Sequence, residues 1–346
     1  MKYSKTSDFD YELPKELIAQ TPLKDRTASR MMVIHKNQGT YEDKNFRDLL
    51  DYLKPGDVIV RNNTRVIPAR LFGTKEETGA HVELLLLKQN EDDIWECLAG
   101  NAKVIKMGTI ISFHDGRLRA QCTGIGEKGI RFMKMLYDGI FNEILDELGN
   151  VPLPPYIREK LDDPERYQTV YAKVRGSAAA PTAGLHFTPE YFDEIRAKGV
   201  TVAEVTLHVG LGTFRPMDTE DIEDHKMHSE VYMMSRETAD ILNQAKEEGR
   251  RIIAIGTTSV RTLESVWNRF GRFEECTGAT QLFIYPGYEW HTIDCMITNF
   301  HLPKSTLIMM IASFAGYDLT FEAYRHAVSE KYRFFSFGDC MLITNE

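Results

Sequence analysis

Two short segments of this chain place a histidine among glycines and hydroxyl residues. Residues 180–187 read APTAGLHF and residues 206–214 read TLHVGLGTF. Glycine lets a backbone approach a ligand closely, and His186 and His208 can change charge near neutral pH. One predicted helix and one predicted strand separate the segments, so parallel packing would bring both histidines to one edge of a sheet. This pattern is typical of an active-site wall, although a lone histidine such as His208 is also a common core residue with satisfied hydrogen bonds.

Two further hydroxyl-rich segments follow predicted strands and lead into predicted helices. They are GTTS at 256–259 and TNFHLPKST at 298–306. In open α/β sheets, ligands bind beyond the carboxyl ends of the strands. The N-terminus of a helix offers N–H groups and a favourable dipole to an anion or a polar ligand. Simple helix capping is the alternative for any one segment, but four such segments in one half of the chain favour a binding site.

Known cofactor motifs do not fit these segments. Gly210 and Gly212 begin a dinucleotide-type pattern, but its third glycine is replaced by Arg215. The GTT at 256–258 lacks the lysine of a phosphate-binding loop, and no cysteine cluster suits an iron–sulfur centre. The sequence HKMHSE at 225–230 has metal-ligand spacing, but its polar surroundings favour surface residues beside a cleft. We therefore predict no metal and no prosthetic group.

Composition limits the classes of protein to consider. The 346 residues include 42 Lys and Arg against 51 Asp and Glu, which gives a net charge of −9. This charge argues against a protein coated by nucleic acid, although a local basic groove is compatible with it. No apolar run reaches the roughly 18 residues of a membrane span, and the N-terminus lacks the apolar core of a signal peptide. Five scattered cysteines favour a reducing cytoplasm, and we expect a monomer without membrane contact.

One stretch concentrates basic and aromatic residues. It contains Arg158, Arg166, Lys173 and Arg175 with interleaved tyrosines, a combination that suits phosphate contact and base stacking. Four acidic residues dilute this charge, so a solvated surface segment is the alternative and composition alone favours it. Tyr288 lies in the aromatic, turn-rich segment YPGYEW at 285–290, which suits a base-stacking platform and a packed loop about equally.

The elements that must position these residues fall into two kinds. Short strand-like runs with Gly, Asn and Asp turns fill residues 66–150 and predict a small antiparallel barrel or sandwich. Elsewhere strands alternate with helices, which predicts a largely parallel sheet with helices against it. A short helix is expected after Pro14, and the 256–259 loop is expected to precede a helix from Val260. The predicted fold is therefore a discontinuous α/β domain, 1–65 with 151–346, interrupted by a β-barrel-like domain at 66–150.

Longer motifs resemble one known family. The chain resembles the S-adenosylmethionine:tRNA ribosyltransferase-isomerases of queuosine biosynthesis from about residue 7 to about residue 343, and residues 66–150 resemble it less. The motifs that carry the resemblance are DFDYELP (8–14), NNTRVIPARL (62–71), APTAGLHF (180–187), LHVGLGTFRP (207–216), HKMHSE (225–230), GTTSVRTLE (256–264), TNFHLPKST (298–306) and YRFFSFGD (332–339).

The resemblance implies a reaction and a fold. Members of the family transfer the ribosyl part of S-adenosylmethionine to 7-aminomethyl-7-deazaguanine at the wobble position of tRNA. The products are epoxyqueuosine in tRNA, adenine and methionine. S-adenosylmethionine is then a co-substrate and tRNA is the partner. The family fold is implied to be a discontinuous α/β domain with an inserted β-barrel-like domain, in agreement with the pattern of elements.

Residue type and segment position suggest roles for this reaction. The sulfonium acidifies the C5′ protons of the ribose, so the site needs a base, an acid for the leaving adenine and groups that hold a cation. Acid–base candidates are His186, His208 and His228, followed by His301; Glu230 and Asp339 are candidates for holding the cation or steering the amine. Substrate contacts are assigned to Asn63, Arg65, Thr182, Gly210, Gly212, Thr257, Thr258, Arg261 and Asn299. Contacts to tRNA are assigned to Arg158, Arg166, Lys173, Arg175 and Tyr288. A small-molecule nucleotide transferase and a non-catalytic RNA-binding module are the alternative functions.

Overall fold

A computed structural model describes residues 3–210 and 217–346 of the chain, with strands and helices numbered here in chain order. Gly212, assigned above to substrate binding, lies outside the described residues. The strands are β1 (Arg30–His35), β2 (Thr40–Asn45), β3 (Val58–Asn62), β4 (Thr64–Val66), β5 (Arg70–Lys75), β6 (His81–Gln89), β7 (Ile94–Gly100), β8 (Ile110–Phe113), β9 (Leu118–Ile125), β10 (Ile130–Tyr137), β11 (Val174–Ser177), β12 (Thr201–Leu207), β13 (Glu230–Met234), β14 (Ile252–Ile255), β15 (Cys276–Thr280), β16 (Cys295–Asn299) and β17 (Cys340–Thr344). The α-helices are α1 (Leu49–Tyr52), α2 (Phe141–Leu148), α3 (Pro189–Ala197), α4 (Arg236–Glu247), α5 (Gly256–Phe270), α6 (Thr306–Ala315) and α7 (Tyr317–Ser329).

The chain folds as two compact units. One comprises Met1–Arg65, Pro155–Val174 and Ala180–Glu346, and the other comprises Val66–Pro154 and Arg175–Ala179. The first contains a nine-stranded sheet in the order β15-β13-β12-β3-β14-β16-β17-β1-β2, and the second contains a closed barrel in the order β10-β7-β6-β5-β8-β9. The predicted fold class, α/β with an antiparallel β-barrel, is confirmed. The domain boundaries drawn from the sequence stay a prediction.

The large sheet is mixed, so the expectation of a largely parallel sheet is wrong. Its centre is parallel, with β12, β3, β14 and β16 running in one direction. β17 then pairs antiparallel with β16 and parallel with β1, while β2 and β13 join their neighbours antiparallel. The alternation of strands and helices identified the parallel centre. The strands β2, β13, β15 and β17 each pair antiparallel with a neighbour, and the strand–helix pattern did not reveal them.

The central strands are apolar on both faces because helices cover both. β3, β14, β16 and β17 are buried along their whole length. On one face Ile59, Ile253, Ile297 and Leu342 pack in one core with the apolar faces of α1 and α3. α5 covers the opposite side of the central strands and carries its own buried stripe. A fully buried leucine or isoleucine contributes about 1.5–3 kcal/mol, so this core fixes the strand ends with little freedom.

Local signals placed several helix ends correctly. Thr188 caps α3, because its side-chain hydroxyl accepts a hydrogen bond from the backbone N–H of Tyr191 and threonine favours this position. Two local predictions are wrong. The segment after Pro14 forms only a 3-10 turn, Lys15–Leu17, and residues 256–259 are the first turn of α5 instead of a loop. Gly256 makes this early start feasible because its φ of +80° joins β14 directly to the helix.

Among the described residues, none of the helices is long and apolar enough to cross a membrane.

Candidate active site

The ends of six strands converge at one edge of the large sheet. The carboxyl ends of β12, β3, β14 and β16 lie there because these strands are parallel neighbours. The amino ends of β17 and β1 lie there too, since Asn299 at the end of β16 is opposite Cys340 at the start of β17, and Cys340 is opposite Met31. Segments far apart in sequence therefore meet at this edge.

A pocket opens at this edge, and we call it the edge pocket. All four segments identified from the sequence contribute to it, and the segment 206–214 does so through Val209. Its lining residues are Tyr156, Ala180, Pro181, Thr182, Ala183, Val209, Gly256, Thr257, Thr258, Thr298, Asn299, Phe300, His301, Leu302, Ser305, Leu307, Phe335 and Ser336. Small, hydroxyl and aromatic residues share the wall, a combination that suits a polar ligand with a flat ring.

The N-terminus of α5 forms one wall of the edge pocket. Ile255 precedes the helix and provides no side-chain cap. The Oγ1 of Thr258 is buried and makes no hydrogen bond within the described residues. Thr257 and Thr258 therefore line the pocket beside the positive end of a helix dipole, and the Thr258 hydroxyl has no described hydrogen-bond partner.

His301 lines the edge pocket in a fixed orientation. Its Nε2 lies 2.8 Å from the Oγ1 of Thr298. Its backbone N–H donates to the Tyr324 hydroxyl at 3.0 Å, and its carbonyl accepts from the Tyr11 hydroxyl. Burial lowers the pKa of His301 to about 3. The ring is therefore neutral at physiological pH and acts through hydrogen bonds, with little strength as a base.

His186 joins three elements of the sheet edge. Its Nδ1 lies 2.7 Å from the Oγ of Ser29, and its Nε2 lies 2.8 Å from the Oδ1 of Asn299. The Asn299 amide in turn donates to the carbonyl of Phe335 at 2.9 Å. Burial lowers the pKa of His186 to about 4, which keeps the ring neutral. Both ring nitrogens are engaged, so the structure places this acid–base candidate as a brace beneath the pocket wall.

His208 follows β12 and is only partly buried. Its Nδ1 lies 2.8 Å from the Oγ1 of Thr64, and no described residue hydrogen-bonds Nε2. Burial lowers its pKa from the ordinary value, without a neighbouring charge as a further cause. Val209, the next residue, lines the edge pocket, so His208 directly precedes a pocket residue and its Nε2 has no described partner.

Glu230 and Arg261 form a buried ion pair at the margin of the site. The two side chains are 4% and 6% exposed, and Arg261 Nη1 donates to Glu230 Oε2. Glu230 Oε1 accepts the backbone N–H of Gly210 at 2.8 Å, and Arg261 Nε donates to the Leu282 carbonyl at 3.2 Å. The carboxylate thus holds the backbone of Gly210, and its charge is already balanced by Arg261.

Asp339 is likewise engaged within the protein. Its carboxylate accepts the backbone N–H groups of Arg30 and Arg333, each at 2.8 Å. Burial raises its pKa, and the two backbone donors and the arginines oppose this rise. These contacts shape the 333–339 turn, in which Phe335 adopts a left-handed φ of +71°. Asp339 therefore holds the turn that carries Phe335 and Ser336 into the pocket wall.

Similar proteins fall in one family over nearly the whole chain. The family described as "Queuosine biosynthesis protein" matches residues 6–343. The chain belongs to this queuosine biosynthesis family. It is 58% identical to the "S-adenosylmethionine:tRNA ribosyltransferase-isomerase" of Staphylococcus haemolyticus over 97% of the chain and 98% of that protein. It is also 58% identical to the protein of the same name from Clostridioides difficile, over 98% of the chain and 99% of that protein.

A solved member of the family supports the fold. It is described as the crystal structure of S-adenosylmethionine tRNA ribosyltransferase from Thermotoga maritima. It shares 42% identity with the chain, with a TM-score of 0.57, and the match covers 97% of this chain and 100% of that one. The predicted resemblance to this family is confirmed.

The remaining substrate candidates divide between the pocket and other surfaces. Thr182 lines the edge pocket with Asn299. Asn63 instead lies in a groove with Glu204 and Thr206, and its amide and carbonyl oxygen bind those two side chains. Arg65 pairs with Glu165 at 2.5 Å. His228 is exposed and lies between the 222–224 turn and β13, so it is not on a helix face with His225.

Most residues assigned to tRNA have intramolecular partners. Lys173 pairs with Glu204 at 3.0 Å, and Arg175 pairs with Asp146 at 2.6 Å. The Tyr288 hydroxyl donates to Glu264 and accepts from Asn268, both at 2.9 Å, which ties this ring to α5. Arg158 is exposed, and only its backbone N–H has a described contact, with Gln20. Arg166 donates to the carbonyl of Leu23.

Sequence reasoning missed the aromatic part of the wall. Tyr156 and Phe335 pack with ring centroids 4.8 Å apart, and the Tyr156 hydroxyl lies 2.6 Å from Ser336 Oγ. Tyr156 is one of the tyrosines interleaved with the basic stretch, but residue type did not assign it to a pocket wall. Phe335 lies in the YRFFSFGD motif, so the resemblance was its only signal. Within the described residues, no group of three or more His, Cys, Asp or Glu side chains is arranged to hold a metal ion.

Proposed function

We propose that this protein is an S-adenosylmethionine:tRNA ribosyltransferase-isomerase. It transfers and isomerises the ribosyl moiety of S-adenosylmethionine onto 7-aminomethyl-7-deazaguanine at the wobble position of tRNA. Epoxyqueuosine in tRNA, adenine and methionine are the products. The observation that carries the proposal is that segments of four family-like motifs, at 180–187, 207–216, 256–264 and 298–306, contribute to one pocket in a chain matched to the family over residues 6–343.

The pocket suits the chemical demands of this reaction. A base removes a C5′ proton made acidic by the sulfonium. The electron pair left on C5′ breaks the bond from C4′ to the ring oxygen, and that oxygen becomes the C1′ carbonyl as adenine leaves with a proton. The neutral aminomethyl nitrogen adds to C4′ and loses a proton, which returns an electron pair to C5′. C5′ then bonds to C1′, and the oxygen on C1′ displaces methionine from C5′ as a neutral thioether to form the epoxide. A wall of rings and hydroxyl groups can hold purine and ribose while excluding water, which strengthens the electrostatic interactions that the reaction needs.

The four histidine candidates differ in their suitability as acid or base. His186 has both ring nitrogens engaged, and His301 has a pKa near 3. His228 is exposed. His208 combines partial burial, one fixed ring nitrogen and one nitrogen without a described partner. We therefore assign proton transfer to His208, with His301 orienting the substrate through hydrogen bonds. Thr257 and Thr258 contact the donor, and Tyr156 and Phe335 provide ring faces for a purine.

Released adenine is the product that tests this function. The enzyme is incubated with S-adenosylmethionine alone, with tRNA that carries the aminomethyl-deazaguanine, and with the same tRNA carrying guanine. We expect adenine only with the modified tRNA. Adenine release without RNA would instead indicate a small-molecule nucleotide transferase. RNA binding without adenine release would indicate a non-catalytic RNA-binding module.

Single-turnover assays test the histidine assignment. His208→Ala should lower the rate of adenine release by about 10²–10⁴-fold, the usual contribution of general acid–base catalysis, while donor binding persists. His228→Ala is the matched control at an exposed position and should retain turnover. Normal turnover in His208→Ala would remove His208 from the chemistry.

A further inference from the structure

Three arginines of the α/β unit converge beside the edge pocket, and we call Arg26, Arg166 and Arg333 the arginine cluster. Arg166 donates to the carbonyl of Leu23, and Arg333 donates to the carbonyl of Thr21. One short segment thus holds two guanidinium groups of the cluster by two carbonyls only two residues apart.

Arg26 completes the cluster from the same segment. Its guanidinium donates to the carbonyls of Leu185 and Glu165, each at 3.2 Å. Glu165 directly precedes Arg166, so a single stretch of backbone connects two members of the cluster. Carbonyl groups therefore fix all three guanidinium groups in place without neutralising them.

The arginine cluster lacks close carboxylate partners. Within the described residues, none of its three guanidinium groups lies within 4.0 Å of a carboxylate, whereas the nearby Arg65 pairs with Glu165 at 2.5 Å. Burial and Arg166 lower the pKa of Arg26, while Asp163 and Glu165 oppose this from longer range. Burial also lowers the pKa of Arg333, while Asp339 opposes this. The surrounding carboxylates thus act on the cluster without pairing with it, and a bound anion would offset the cost of burying its charge.

Buried donors without hydrogen bonds also indicate that the cluster binds an anion. Arg166 Nε and Arg333 Nη1 are buried and make no hydrogen bond within the described residues. Buried N–H groups of native proteins nearly always have a partner, so unpaired donors on two neighbouring arginines call for an explanation. A guanidinium carries five donors in a planar fork that matches the oxygen atoms of a phosphate.

A small cavity lies beside Arg26 and Arg166 of the cluster. It is lined by Pro22, Leu23, Arg26, Ser29, Arg166, Leu185, His186, Ser336, Phe337 and Gly338. Ser336 also lines the edge pocket. The cavity and the edge pocket are therefore immediate neighbours, separated by the turn that carries Ser336 and by the His186 brace.

We propose that the arginine cluster binds a phosphodiester of the tRNA anticodon strand next to the nucleotide undergoing modification. The proposal rests on the proposed function and adds to it the path of the RNA backbone. RNA is favoured over the carboxylate of S-adenosylmethionine because the cluster lies outside the edge pocket. The N-terminus of α5, whose dipole favours a carboxylate, instead lines the edge pocket. The guanidinium groups further suit the oxygen atoms of a backbone phosphate in a single strand, whose splayed-out base can then enter the pocket.

Charge-removing variants test the cluster. Arg166→Gln and Arg26→Gln are compared with Arg272→Gln, which removes the same charge from an exposed arginine paired with Glu274. Affinity for precursor tRNA is measured by filter binding between 50 and 200 mM salt, and affinity for S-adenosylmethionine by calorimetry. Each cluster variant should weaken tRNA binding by about tenfold or more, since hydrogen bonds to charged groups are involved. The log–log salt slope should also become shallower by about 0.7 for each lost contact.

The outcomes separate this inference from the proposed function. Affinity for S-adenosylmethionine and the behaviour of Arg272→Gln should match the wild type. Wild-type tRNA affinity and salt slope in both cluster variants would overturn the inference, as would a loss confined to S-adenosylmethionine. If the wild-type enzyme releases adenine with modified tRNA, the proposed function stands in either case.

Lysine variants keep the test decisive if a glutamine variant fails to fold. Arg166→Lys retains the positive charge but loses the planar fork. It should keep the wild-type salt slope and bind tRNA about threefold or more weakly, because a compact ammonium cannot make the paired contact. Unchanged tRNA affinity in folded Arg166→Lys, checked by its thermal unfolding midpoint, would also overturn the inference.

Discussion

The neutral state of His186 predicts a specific loss of stability in acid. His186 is 5% exposed, and both of its ring nitrogens are hydrogen-bonded. Burial lowers its pKa to about 4, from an ordinary value of about 6.5 in the unfolded chain. Between these values the unfolded state binds the proton more readily, so the free energy of unfolding must decrease as the pH falls. Above about pH 6.5 the contribution is fully present.

The size of the effect follows from the pKa shift. A shift of about 2.5 units corresponds to about 3 kcal/mol in total, of which roughly 2 kcal/mol is lost between pH 7 and pH 5. The assay is urea unfolding of the wild type and His186→Gln at pH 7, 6 and 5. Glutamine does not titrate, so the stability difference between the two proteins should shrink by roughly 2 kcal/mol. The buried His301 contributes equally to both proteins and cancels.

A control and a refuting result complete this test. His81→Gln removes a histidine from an exposed position in β6 and should show the same pH dependence as the wild type. A stability difference between the wild type and His186→Gln that stays constant from pH 7 to pH 5 would refute the reasoning. It would mean that His186 accepts a proton within the folded protein without cost.

Three further predictions concern the margin of the site and its pocket wall. Glu230→Ala leaves Arg261 buried without its counter-ion, so the free energy of unfolding should fall by about 3–5 kcal/mol; urea unfolding with less than 1 kcal/mol lost would contradict a buried pair. Gly184→Ala places a Cβ 2.0 Å from the Tyr171 hydroxyl oxygen and should destabilise by about 1–3 kcal/mol. Tyr171→Phe should restore part of this loss in thermal unfolding, and no rescue would argue against the clash. Thr258→Val removes a hydroxyl partner of the donor, so the KM for S-adenosylmethionine should rise about tenfold while the circular dichroism spectrum stays unchanged. An unchanged KM would remove Thr258 from the donor site.

Sequence patterns identified the parts of the fold that local rules govern. Short strands with turn residues predicted the barrel, and alternating strands and helices predicted the parallel centre of the large sheet. Strands β13, β15 and β17 escaped because their positions depend on pairing with distant strands, and neither a helix period nor a hairpin turn announces them. The early start of α5 was also missed. A glycine followed by hydroxyl residues is typical of a loop, whereas Gly256 with its φ of +80° joins β14 directly to the helix.

The candidate site shows a similar division. Thr182, Thr257, Asn299 and His301, chosen by segment position, line one pocket, and their roles stay a prediction. Residue type alone could not separate a histidine that serves as a brace from one that is free to exchange protons. That distinction depends on whether both ring nitrogens of His186 have partners, which is a property of the packed structure. The sequence likewise did not reveal that Lys173 and Arg175 form ion pairs, because their acidic partners are distant in sequence.

Transfer of labelled ribose tests the central claim most directly. S-adenosylmethionine is labelled either in the ribose carbons or in the sulfonium methyl group, and each form is incubated with the enzyme and tRNA carrying 7-aminomethyl-7-deazaguanine. The account predicts that ribose label enters the tRNA with one adenine released per labelled nucleotide, while methyl label stays in free methionine. Methyl label in the tRNA, or ribose label that never reaches it, would contradict the account.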